Sequence, residues 1–138
     1  MTVEILYPLL TEAIRRAEAL EDLGAPGARS AYLDVSLLEE RVSEALPASD
    51  PEGALARVGA VRGAVSARDF SRAQQLSERF LGEAGANERL RDELLSLARE
   101  AEEASAIRYP HVAVQFGFAE IRRLAQALIQ QGAPFPIG

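Results

Sequence analysis

The sequence predicts an all-α fold of six helices paired as three helical hairpins, a bundle or a short α-solenoid. Three observations carry this expectation. Apolar residues recur at the 3.6-residue helical period along most of the 138 residues. No stretch sustains the period-2 alternation of a half-buried strand, and no Asn-Gly or Asp-Gly pair offers a hairpin turn. Tyr32, Phe70 and Tyr109, spaced 38 and 39 residues apart, each follow a small or polar stretch and precede an apolar run of helix length. At 48% hydrophobic and 26% charged, the chain is long enough and apolar enough to build one core. A single domain is expected over residues 1–131, with 132–138 as an extended C-terminal tail.

Each element has its own signal. In the first helix Leu6, Leu10, Ala13, Ala17 and Leu20 share one face. Pro8 is expected in or near its first turn, where a missing N–H costs nothing, and Gly24, Pro26 and Gly27 end it. The second runs from about Ser30 to Leu46 with Tyr32, Val35, Leu38, Val42 and Ala45 inward. Asp50 followed by Pro51 is the cleanest helix start in the chain: a carboxylate to accept from free N–H groups, then a ring preset for the first helical position.

The third helix turns Ala54, Val58, Val61 and Val65 inward and carries a smooth strip of Ala56, Gly59, Ala60 and Gly63. Each Gly costs a helix about 1 kcal/mol against Ala, so two of them predict a closely crossing neighbour. The fourth starts near Asp69 with Phe70, Ala73, Leu76 and Phe80 inward, and Gly82, Gly85 and Asn87 form the loop after it. The fifth buries Leu90, Leu94, Leu97, Ala101 and Ala104 beneath an acidic outer face. The sixth begins at Pro110, with Val114, Phe118, Ile121, Ala125 and Leu128 inward, and is expected to be the most buried.

Composition excludes several kinds of chemistry. Without Cys there is no disulfide, thiol nucleophile or thiolate metal site. Without Lys there is no Schiff base and no phosphate-loop lysine; all 15 cations are Arg, as in the Ala-rich, Lys-free products of high-GC bacterial genes. The N-terminal residues lack a signal-peptide pattern and no run reaches membrane-span length, so a soluble cytoplasmic protein that does not enter a membrane is expected. The net charge of −6 opposes bulk contact with nucleic acid. It is uneven: residues 1–56 carry 11 acids and 4 Arg, whereas 57–138 carry 10 acids and 11 Arg.

Two local patterns carry resemblances. Residues 69–81, with Asp69-Phe70-Ser71-Arg72-Ala73 followed by Leu76, Phe80 and Leu81, resemble the turn and second helix of a tetratricopeptide hairpin. That resemblance implies a non-catalytic interaction or adaptor protein that binds another protein. Residues 60–72, with Ser66 before Arg68, Ser71 and Arg72, resemble an AraC-like helix-turn-helix. That implies the alternative, a DNA-binding regulator in which Ser66 caps a recognition helix. The candidate contacts to DNA or to a protein partner are Arg57, Arg62, Arg68, Ser71 and Arg72.

A third function is an enzyme or anion-ligand site at the start of the sixth helix, where Arg108, Tyr109 and His111 bring a cation, a phenol and the single imidazole together. Catalytic, metal and cofactor residues are otherwise unassigned: no Glu-x-x-His pair, nucleophile elbow or glycine-rich phosphate loop occurs, and no cofactor is expected. The acidic first part and the Arg-rich remainder also raise self-association as a homodimer.

Overall fold

The computed structural model describes residues 2–107, in which every regular element is a helix. The helices are α1 Val3–Asp22, α2 Ala28–Ala45, α3 Pro51–Ser66, α4 Phe70–Leu81 and α5 Glu88–Ile107. Five stand among the described residues where six are expected along the whole chain; the sixth, from Pro110, and the tail 132–138 lie outside the described residues. The chain divides into two compact units, Met1–Ala101 and Glu102–Gly138. Apart from the C-terminal end of α5, the five helices belong to the first unit.

Helix starts follow their local chemistry. Asp50 caps α3 by accepting from the N–H groups of Glu52 (2.8 Å) and Gly53 (3.3 Å), and Pro51 opens the helix as predicted. Asp69 caps α4 by accepting from Arg72 N–H at 3.1 Å. Asn87 Oδ1 accepts from Leu90 N–H at 2.8 Å at the start of α5. Pro8 departs from expectation. Because α1 begins at Val3, Pro8 falls in its second turn, and the ring withholds a hydrogen bond from the Glu4 carbonyl.

Two turns share one design. After α1, Gly24 N–H donates to Glu21 O and Ala25 N–H to Leu20 O, both at 2.9 Å. After α3, Arg68 N–H donates to Val65 O and Asp69 N–H to Ala64 O, also both at 2.9 Å. Each is a Schellman end with a left-handed residue after the cap. That residue is Gly24 (φ 64°) in the first turn and Arg68 (φ 61°) in the second.

Successive helices pack on one another: α1 on α2, α2 on α3, α3 on α4. Gln74 Nε2 donates to Ala98 O (3.0 Å) and Arg91 Nη1 to Leu81 O (2.8 Å), which ties α4 to α5. The α1–α2 contact is apolar, built from Leu6, Leu10, Ala17, Ala31, Val35 and Val42. Phe70, Leu76, Phe80, Leu90, Leu94 and Leu97 continue the core through α4 and α5. The close crossing predicted from the small strip of α3 is made by α2. A Cβ on Gly63 would lie 3.0 Å from Ser36 N, and one on Gly59 would collide with the Glu39 carboxylate. The described helices form a compact all-helical packing of the bundle kind, and none is long and apolar enough to cross a membrane.

Candidate functional site

The structure separates the predicted contact residues into two sets. Arg57 is interior, with 3% of its surface exposed. Its five N–H bonds all find acceptors. Nε and Nη2 grip the Glu83 carboxylate at 2.9 and 3.0 Å. Nη1 donates to Leu46 O (3.0 Å) and Gly53 O (2.8 Å), and Nη2 to Ser43 O (3.1 Å). The need for this cation is local. Residue 47 is proline, so Ser43 O, near the C-terminus of α2, lacks the N–H that would otherwise close its turn. Arg57 reaches across from α3 to supply it, placing positive charge at the negative end of α2. Its guanidinium carbon lies 5.6 Å from the centre of the buried Phe80 ring.

Arg72 is half-buried and also turned inward. Its Nε donates to Ser36 Oγ (3.0 Å) and its Nη2 to Glu40 Oε1 (2.6 Å). Ser36 Oγ in turn donates to Ala60 O at 2.6 Å, and Arg79 closes on the other Glu40 oxygen at 2.9 Å. One polar chain therefore pins α2, α3 and α4 together. The capping role expected of Ser66 belongs to Asp69 instead; Ser66 is the last residue of α3, because the left-handed turn at Arg68 delays the next helix by three residues. Arg62, Arg68 and Ser71 remain exposed. Arg68 holds its guanidinium 5.7 Å from the Phe70 ring centre. Arg108, Tyr109 and His111 lie outside the described residues, so the anion-site expectation has no geometry here.

Two consecutive glutamates on α2 carry opposite electrostatics. Burial against α3 pushes the Glu39 carboxyl up to about 7. Glu40 is also desolvated, which by itself raises its proton affinity, but hydrogen bonds from Arg72 and Arg79 outweigh this and hold it below the usual carboxylate range. At the exposed edge of α1, Tyr7 Oη donates to Glu52 Oε2 at 2.7 Å, and that bond raises the phenol to about 12. No cluster of three His, Cys, Asp or Glu side chains able to hold a metal occurs among the described residues.

An open groove of about 560 Å³ lies between α3 and the start of α5. Leu55, Val58 and Leu90 give it an apolar lining, and Arg62, Arg89 and Glu93 add charge. Leu55 is 69% exposed, a large apolar side chain offered to whatever enters. Asp50 and Asn87 also line the groove, but both side chains are turned onto helix N–H groups. The sequence marked Arg62 but missed the groove, because its two walls, within 48–62 and 87–93, are far apart in the chain and no local pattern links them. Chemically the groove offers apolar contact and guanidinium donors. No protein-family model matches the chain, and no curated protein or solved structure emerges as similar to it.

Proposed function

We propose that the protein is a non-catalytic helical interaction module that seats a partner segment in the α3–α5 groove. The supporting observation is Leu55, 69% exposed in a groove that Arg62 and Arg89 also line. The partner chemistry that fits is an amphipathic helix or extended peptide with a Leu-sized anchor and flanking carboxylates. The anchor covers the apolar lining, and Arg62 and Arg89 meet the acids in bidentate fashion. The test is capture from a lysate with wild type and with Leu55→Glu side by side, followed by calorimetry with the purified partner. A specific partner that survives Leu55→Glu and Arg62→Glu/Arg89→Glu unchanged would sink this function.

The DNA-binding alternative rests on one observation. Arg68 is exposed and occupies a left-handed conformation, which costs a non-glycine residue of order 1 kcal/mol. It would project with Arg62 and Ser71 from the α3–α4 turn. Arg57 and Arg72 serve other tasks inside the protein, so the basic surface for this role is small. Fluorescence anisotropy on a mixed-sequence duplex at low salt decides it: micromolar binding lost in Arg68→Ala favours DNA, and no binding removes it.

A further inference from the structure

We propose that the outer face of the α1–α2 pair docks a second copy of this chain about a two-fold axis. It is a different face from the α3–α5 groove, and the two proposals stand or fall separately.

The face has the composition of a small interface. Leu9 and Leu37 flank a shallow groove of about 390 Å³ between the helices, 47% and 45% exposed, and Ile5, one turn before Leu9, is 54% exposed. Around this strip stand exposed charges of both signs, Glu12 and Arg16 on α1 and Asp34 and Arg41 on α2. A surface that binds its own copy must be complementary to itself, because a two-fold axis sets each residue against its symmetry-related position. A patch of one charge sign fails that requirement; a mixed patch meets it only if the signs invert across a centre.

On α2 they do. Asp34 and Arg41 are seven residues apart, two turns on one helix face, and Leu37 and Leu38 lie midway between them. Laying α2 antiparallel on the α2 of another copy, with the axis at these leucines, brings each Asp34 to an Arg41 of the other copy and stacks Leu37 on Leu37. The inverted order of acid and base about an apolar centre selects this register and penalises a parallel one, which would set like charges together. The face is about 30 Å long, from the 1.5 Å rise over α1, and two helices wide, so it buries on the order of 600 Å² per copy. That area belongs to a weak, concentration-dependent dimer.

The test is mass by light scattering or sedimentation at low salt, over protein concentrations from about 5 to 500 µM, a span chosen for an interface of this size. The wild type is expected to rise from the 14.9 kDa monomer toward twice that mass. Leu37→Glu and Leu9→Glu each hold the chain at monomer mass. Arg41→Glu alone also does so, because it sets two acids against each other at both ends of the pair. Asp34→Arg combined with Arg41→Glu restores the dimer, a recovery that only the inverted register predicts. Asp34 and Arg41 are exposed, and far-UV circular dichroism and melting of each variant confirm that the fold is kept. A wild type that stays monomeric throughout overturns the proposal and leaves the face to another occupant. A dimer indifferent to Leu37→Glu, or a double charge reversal that does not recover it, overturns it as well.

Discussion

The two sides of α2 are held by different physics. Toward α1 the contact is hydrocarbon: Leu6, Leu10, Ala17, Val35 and Val42 exclude water and ask only for volume. Toward α3 and α4 it is built from small residues and directed bonds, with the glycines of α3 letting the backbones close and Ser36, Glu40, Arg57 and Arg72 joining carbonyls and carboxylates. Nonpolar contact degrades by degrees, because a truncated side chain leaves a cavity that neighbours partly fill. A buried hydrogen-bonded cation degrades abruptly, because removing it strands every acceptor it satisfied. The polar side is the more specific of the two and the more brittle.

The sharpest way to break this contrast is Arg57→Ala. It strands the Ser43 and Leu46 carbonyls and the Glu83 carboxylate, and is expected to cost about 3–5 kcal/mol in urea unfolding. Leu10→Ala on the α1 side is expected to cost about 2–4 kcal/mol, with the urea dependence still cooperative. An Arg57→Ala loss smaller than that of Leu10→Ala would erase the distinction between the two sides.

Glu39 sharpens it through pH. Its carboxyl is raised in the folded state, to about 7 from an ordinary 4.5. Folding therefore favours the protonated form, and the stability this contributes is complete below about pH 4.5 and is lost as pH rises through about 7. Glu39→Gln should match wild type at pH 4 and exceed it at pH 8 by on the order of 1–2 kcal/mol, after allowance for solvent screening of a partly exposed group. Urea midpoints of the two proteins at both pH values check this, and the pairwise difference cancels the opposite titration of Glu40. The smallest effect belongs to the turn after α3. Arg68→Gly relieves the left-handed strain and forfeits the Phe70 contact, for a net gain of about 0.5–1 kcal/mol read as a rise in melting temperature. A fall instead would mean that the Arg68–Phe70 contact outweighs the strain.

These particulars also mark what the sequence could say. Helix positions followed from apolar spacing, the α3 cap from Asp50-Pro51, and the close helix crossing from Gly59 and Gly63, because each depends on residues within a few turns. Phe70 proved buried as its helix-start position implies, whereas Tyr32 and Leu38 are half-buried and Ala45 is exposed, since α2 presents Ser36 and Ser43 to its neighbours and so turns a different face inward. Arg57 and Arg72 looked like surface cations because hydrophobic periodicity treats charge as outward. What drew them in were chiefly acceptors 11 to 36 residues away, which no local pattern reveals. The one local clue was Pro47, whose missing N–H leaves a helix-end carbonyl in search of a donor. The α3–α5 groove was illegible for the same reason, being a product of tertiary packing.

The Arg57 cage has a consequence for time as well as for equilibrium. Its acceptors sit at the end of α2, in the first turn of α3 and in the loop after α4, so the guanidinium can be satisfied only when all three have met. Until then it is better left in water, so the cage is expected to form after the folding barrier is crossed and to act as a brake on unfolding: Arg57→Ala should speed unfolding while leaving the folding rate close to that of wild type, as read from a chevron plot.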